Sequence, residues 1–252
     1  MIAAAGRLGI DTAVHVGDLG VLWPGDPGSS FTFKVQRELD KHGVRLFLTD
    51  GNHDNPTALR GLLRDDAGFG VIHTFGVIPT KAKGGRRLDL IRWTPRGHRW
   101  TWPGADGRPV RLGALGGAFS VDWRHRKAGI SWWPIDEEVA PENLEQLGTD
   151  PLDVLISHEC PAGAVPPSTM RIPVGDEAQS KVSRDLLRQA VDVTRPALQF
   201  CGHWHQRAVY RIDHPQGPPT TVQLLDIDGS AANWVVLDLS TLTVRDPAAS
   251  AN

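Results

Sequence analysis

The sequence predicts an α/β fold, and three observations predict it. Residues 12–48 alternate strand, helix and strand. Four short apolar runs end in residues of metal-ligand type: Gly17-Asp18, Gly51-Asn52-His53-Asp54, Ser157-His158 and Gly202-His203-Trp204-His205. Residues 71–115 carry short apolar runs parted by Gly/Pro turns, a spacing that suggests hairpins or a meander and so a second, more antiparallel sheet. In an α/β sheet, sites collect beyond the C-terminal ends of the strands, which is where the four groups fall.

Taken in order, residues 2–8 are Ala-rich and read as the end of a helix stopped by Gly9. Thr12 to Val16 reads as a buried strand that delivers Gly17-Asp18. A Gly/Pro/Ser loop over 23–30 leads into a helix from about Phe31 to Lys41. Its apolar positions Phe31, Val35 and Leu39 are four apart, as an amphipathic helix requires. Val44 to Leu48 is the next strand, and Pro56 opens the segment after it. Strand-like runs follow at 71–73, 88–93 and 110–115. An Arg/Trp-rich stretch occupies 122–139, and Pro141 to Leu147 reads as helix. Val154 to Ser157 is a buried strand ending in His158, and 161–180 reads as loop. A helix from about Ser180 to Ala190 precedes a strand over 196–200, and two last strands lie at 222–225 and 234–239. With no internal repeat and no linker, residues 1–252 read as one domain.

Bulk properties narrow the function. At 40% hydrophobic and 22% charged residues over 252 positions, the chain has the composition of a soluble globular enzyme. A net charge of −2 gives no electrostatic case for a dedicated nucleic-acid binder. Two cysteines, Cys160 and Cys201, cannot build a disulfide framework and read as reduced thiols. No apolar run approaches the roughly 20 residues a membrane span needs, and the N-terminus lacks the pattern of a signal peptide. The expected location is cytoplasmic, with no membrane partner.

The chemistry of the candidate residues is a mixed nitrogen and oxygen set: Asp18, Asn52, His53, His158, His203 and His205. Such a set suits Mn, Fe, Zn or similar divalent ions. With no Cys among the ligands, an open catalytic site is favoured over a structural zinc site. A carboxylate can bridge two ions about 3.5–4 Å apart, a clamp for in-line attack at phosphorus by an ionised water. Each piece alone is commonplace, since Gly-Asp after a strand is usually a turn. In Gly-His-X-His, residues i and i+2 of an extended segment point to opposite sides, so adjacent metals require the chain to turn there. Arg124, Arg126 and Lys127 read as a solvated loop, with phosphate contact as the alternative. Trp204, lying between two candidate ligands, could wall the pocket. His73, His98, His125 and His214 read as surface or ordinary hydrogen-bonding residues.

The set Gly17-Asp18, Gly51-Asn52-His53-Asp54, Ser157-His158 and Gly202-His203-Trp204-His205 resembles the calcineurin-like metallophosphoesterases. Residues 95–97, 116–122 and 129–134 also look like a bacterial and phage-associated branch of that family. The resemblance runs to about residue 210. It implies two packed mixed β-sheets flanked by helices, a four-layer αββα sandwich, with two divalent ions at the strand ends and a phosphate-ester substrate. It implies that Asp18 bridges both ions, that Asn52, His158 and His203 complete one shell, and that His205 binds the other ion. It also implies that His53 is no ligand but protonates or stabilises the leaving oxygen, held by Asp54. The reaction so implied is hydrolysis of a phosphomonoester or phosphodiester by a metal-bound hydroxide. A nuclease is a further reading that no basic surplus favours.

One departure stands out. The family opens on a strand ending in Asp-X-His, and none of the 17 residues before Asp18 forms that motif. Asp11 and His15 are the polar candidates nearby. Asp11 starts its strand, and His15, three residues before Asp18, is expected to face away from it. The first strand is therefore expected to be missing, with two explanations open: a start at an internal Met, or a shortened form that binds a phosphorylated ligand or partner without hydrolysing it. A sheet lacking that strand is expected to leave unpaired backbone and a tendency to associate.

Overall fold

The computed structural model describes residues 1–24, 28–72, 89–168 and 170–247. Helix α1 (Ile2–Arg7) leads into strand β1 (Thr12–His15), helix α2 (Gly28–His42) and strand β2 (Arg45–Leu48). Helix α3 (Pro56–Arg60) follows, started by Pro56 and capped by Asn55, whose side chain accepts from the Ala58 N–H. Strands β3 (Gly70–Ile72) and β4 (Ile91–Trp93) complete a four-stranded sheet ordered β1-β2-β4-β3. In it β1, β2 and β4 run parallel and β3 antiparallel. Among the described strands β1 pairs with β2 alone, which makes it an edge strand.

The second sheet is built from β5 (Arg99–Pro103), β6 (Pro109–Leu115), β7 (Val154–Ser157), β8 (Leu198–Cys201), β9 (Ala208–Ile212) and β10 (Thr220–Leu224), in the order β5-β6-β7-β8-β10-β9. Its four central strands are parallel, and only its two edges are antiparallel. The second sheet is thus more parallel than its short Gly/Pro-parted runs suggest, because helix α4 (Pro141–Leu147) and helix α5 (Val174–Thr194) provide the crossovers. A hairpin of β11 (Val236–Asp238) and β12 (Thr243–Arg245) closes the chain.

Period-two alternation assigns each strand residue to a layer. In β7, Val154 and Ile156 face the space between the sheets, where Val110, Leu112, Leu198 and Phe200 meet Val14 and Val16. Leu155 faces the other way, onto Leu147, Leu187 and Val191 of α4 and α5. In β2, Leu46 and Leu48 pack with Ala5, Leu39 and Leu59 of α1–α3. Phe47, between them, meets Trp102 of the second sheet edge-on at 4.9 Å. The result is four layers, helix, sheet, sheet, helix, as the resemblance implied. Burying a Leu of this kind contributes about 2 kcal/mol.

Several boundaries differ from the sequence reading. Helix α5 begins at Val174, inside the segment expected as loop; Asp176 and Glu177 in its first turn complement the helix dipole that Val174 and Gly175 disguise. Leu39 is buried and Val35 packs against the core, but Phe31, the third expected core position of α2, is exposed. Strands β5, β9 and β12 and helix α3 had no assignment. The expected His73 and Leu88 lie outside the described residues. No helix among the described residues is long and apolar enough to cross a membrane.

Candidate metal centre

Strands β1, β2, β7 and β8 release the four motif segments at their C-terminal ends, two from each sheet. Two glycines let these segments touch. At Gly17, in the left-handed region with φ of 106°, a Cβ would lie 2.3 Å from His158 Nδ1. At Gly51 it would lie 2.1 Å from Asp18 Oδ1 and 2.6 Å from the Asp18 nitrogen. Any side chain at either position would push the loops apart.

Asp18 itself adopts φ of 61°, and its carboxylate reaches two neighbours. Oδ1 accepts the His53 N–H at 2.8 Å, and Oδ2 lies 3.2 Å from His158 Nε2. Burial raises the Asp18 pKa, but His158, with His53 and His203 behind it, outweighs burial and holds the carboxyl well below the usual range.

His158 is held from behind. Its Nδ1 sits 2.7 Å from the Val16 carbonyl, which can only accept, so Nδ1 carries a proton and Nε2 points into the site. There Nε2 meets Asp18 Oδ2 and, at 3.1 Å, Asn52 Oδ1. Two oxygens converging on one nitrogen need a positive centre among them. A proton answers that need, and although burial depresses the His158 pKa, Asp18 outweighs it and the pKa is pushed up to about 9. A divalent cation answers it equally, with all three atoms as donors, and the donor set fits such an ion.

His203 joins this group. Among the described residues, Asp18, His158 and His203 bring a carboxylate oxygen and imidazole nitrogens within 4.8 Å of one another. Burial, reinforced by His158, pushes the His203 pKa down to about 3, so its ring is the neutral form a metal requires. Behind it lies Glu159, fully buried, whose Oε2 is 3.9 Å from His203 Nε2. Glu159 Oε1 accepts from the Trp204 indole at 2.6 Å and from the Cys160 N–H at 2.7 Å. Trp204 packs against the core cluster beneath α5 and stands edge-on to the His203 ring. The thiols of Cys160 and Cys201 lie buried beside these loops, 3.3 Å apart.

The turn that Gly-His-X-His requires is present. His203 and His205 both have positive φ, 68° and 53°, and the Trp204 N–H donates to the Gly202 carbonyl at 2.8 Å. His205 nonetheless emerges exposed and outside the Asp18–His158–His203 group. Asp11 bonds its neighbour Thr12 and lies outside that group too. His15 has a buried, unpartnered Nδ1, and burial holds its pKa down at about 4, with Asp18 and His158 near enough to act on it.

His53 is fixed through its main chain, the N–H to Asp18 and the carbonyl accepting the Trp23 indole at 2.6 Å. Burial, opposed by Asp18, lowers its pKa below the ordinary histidine value. The expected grip of Asp54 on the His53 ring is corrected here. Both Asp54 oxygens are used by main-chain donors: Oδ1 by Gly20 (2.8 Å) and Val21 (3.2 Å), Oδ2 by Asp18 (2.9 Å) and Gly51 (2.9 Å). Four amides saturate the carboxylate, and it ties the Asp18 loop to the Asn52 loop instead.

A second correction concerns Arg126. Arg124 and Lys127 are exposed as expected, Arg124 pairing with Asp176. The Arg126 side chain is only 6% exposed and donates to the Asn52 carbonyl at 2.7 Å and to Ser120 Oγ. Its buried partners, Ser120 and Glu137, left no trace in the local sequence pattern, since neither ends an apolar run nor stands beside a ligand.

The family model described as calcineurin-like phosphoesterase matches residues 2–207. The chain belongs to the calcineurin-like phosphoesterase family. The family brings with it divalent-metal cofactors and phosphoester substrates, and among the described residues Asp18, His158 and His203 converge as a group that suits an ion. Among solved structures, TT1561 of Thermus thermophilus is similar at 13% identity and a TM-score of 0.50, over 97% of this chain and 90% of that one. The protein of Plasmodium known as GAP50, the anchor in its inner membrane complex, aligns at 12% identity over 90% of this chain and 73% of that one, with a TM-score of 0.34. No curated protein sequence matches the chain. The first of these likenesses extends to the fold alone, so the reading of the phosphoesterase site rests on its own residues.

Proposed function

We propose that this calcineurin-like phosphoesterase hydrolyses phosphate monoesters or diesters with divalent cations held by Asp18, Asn52, His158 and His203. The observation that carries the reading is the pair of oxygens, Asp18 Oδ2 and Asn52 Oδ1, aimed at one imidazole nitrogen whose ring partner is committed to Val16. A bound divalent ion supplies Lewis acidity to a phosphoryl oxygen and to water. Mn, Fe and Zn all suit this donor set. Asp18 would also help to hold a second ion, for which His205 would be a further ligand. His203 offers a neutral nitrogen to the first, and His158 would offer Nε2 once the cation takes the place of the proton held there by Asp18. His53 stands beside Asp18 with its ring uncharged at neutral pH and stabilises the leaving oxygen as an N–H donor. Asp54 keeps the Asp18 and Asn52 loops at a fixed separation.

A second reading, a phosphate-ester binder without turnover, is favoured by one observation: His205 stands exposed and apart from the other ligands. One experiment separates the two. The chain is loaded with Mn²⁺, freed of excess, and assayed for bound metal and for hydrolysis of aryl phosphate mono- and diesters. Two ions with turnover support hydrolysis, whereas one ion without turnover supports the binder. No bound metal overturns both.

A further inference from the structure

The segment between β6 and α4 reaches back over the Asn52 loop, and its contacts end on the Asn52 amide. A side-chain amide is nearly symmetric in shape, and a half-turn exchanges its oxygen and its NH₂ at little steric cost. Only the oxygen can bind a cation. Whatever lies beside Nδ2 therefore decides whether the site receives a ligand or a repelling NH₂.

That neighbour is Ser120. Its Oγ accepts from Asn52 Nδ2 at 3.0 Å, while Asn52 Oδ1 faces His158 Nε2 at 3.1 Å on the other side. A hydroxyl is ambivalent, because it could equally donate to an amide oxygen if the amide were turned. Two further residues remove the ambivalence. Arg126, which can only donate, directs Nη1 at Ser120 Oγ and Nη2 at the Asn52 carbonyl, 2.7 Å away. Glu137, 1% exposed, takes the Ser120 N–H on Oε1 at 3.0 Å, which puts a carboxylate beside Ser120 to receive the hydroxyl proton that the two donors on Oγ turn away. With its proton directed to Glu137 and one lone pair taken by Arg126, Ser120 Oγ has an acceptor site left for Asn52. An amide turned the other way would bring its oxygen against an oxygen. Every group in the chain of contacts is buried or nearly so, and none is exposed enough for water to replace a lost partner at no cost.

We propose that Ser120 is a positioning residue that sets the orientation of the Asn52 amide, with Arg126 and Glu137 setting the polarity of Ser120. The proposal rests on the reading of Asn52 as a metal ligand. It assigns the segment over residues 120–137 a part in metal affinity without any contact with the ion.

The test is the affinity of the metal-stripped chain for Mn²⁺, measured by calorimetric titration, with circular dichroism melts to confirm folding. Ser120→Ala is expected to weaken Mn²⁺ binding about 10–100-fold, the range for loss of a group that orients a ligand. Ser120→Thr, which keeps the hydroxyl, is expected to restore affinity to within about threefold of wild type. Arg124→Ala loosens the same segment from α5 by breaking its pair with Asp176 and is expected to leave affinity unchanged. Should Ser120→Ala fail to fold, Ser120→Cys, a poorer acceptor, carries the test in the same direction. Wild-type affinity in Ser120→Ala, or an equal fall in Arg124→Ala, overturns the proposal. Asn52→Ala separates the two levels: unchanged affinity there removes Asn52 as a ligand and the reading beneath. A fall in Asn52→Ala without a fall in Ser120→Ala removes the positioning role alone.

Discussion

Asp54→Asn is the substitution that most directly tests how the centre is held together. The side chain keeps its shape but exchanges one oxygen for an NH₂. Whichever oxygen is lost, two main-chain donors then face a donor: Gly20 and Val21 on one side, or Asp18 and Gly51 on the other. Asp54 is fully buried, so water cannot take over. Each stranded donor costs about 1–3 kcal/mol. Burial and the neighbouring Asp18 raise the Asp54 pKa above the usual carboxylate range, so removing its charge relieves some repulsion and offsets part of that cost. A net loss of about 3 kcal/mol follows, a large share of the ~5–15 kcal/mol that stabilises a typical domain. Urea unfolding of the metal-stripped chain at pH 7 measures it. Mn²⁺ affinity should fall in parallel, because the Asp18 main chain is released. If Asp54→Asn keeps wild-type stability and metal affinity but loses turnover, Asp54 acts on the His53 ring after all and the clamp is wrong.

Other outcomes follow from the same geometry. Burial pushes the Glu137 pKa up to about 7 against the opposing Ser120 and Arg126, from an ordinary 4.5. Between those values the folded chain holds more protons than the unfolded one, so this group's contribution falls by about 3 kcal/mol as pH rises from 4.5 to 7. Urea melts of Glu137→Gln across that window should lack this fall, and curves parallel to wild type would show that Glu137 titrates normally. Gly51→Ala drives a methyl into Asp18 and should abolish tight Mn²⁺ binding in a chain that still shows its circular dichroism; retained affinity would mean the loops can part freely. His53→Ala should remove turnover and leave metal content largely intact, as elemental analysis would show. Loss of metal would instead make His53 a ligand.

What the sequence determined by itself was local. Apolar runs such as Val154 to Ser157 and Leu198 to Cys201 lie between flanking turns, and a strand buried on both faces needs nothing more to be legible. The ligand-type residues at their ends were equally plain, because a strand terminus places the next side chain at the sheet edge. Helix α5 was read to start six residues too late, since its first turn is stabilised by charge and not by apolar period. Tertiary structure alone decided the partners. Asp54 finds its donors 33–36 residues away as well as beside it, and Asn52 finds Ser120 at a separation of 68. Arg126 lies in a stretch that reads as solvated, and is buried where the Asn52 carbonyl, Ser120 and Glu137 offer it partners. His203 and His205 turn through the left-handed region, a conformation no local preference for histidine predicts. Periodicity reports which face of an element is apolar; which hydrogen bonds are made depends on directed contacts between segments distant in the chain, and those exist only once both sheets have packed.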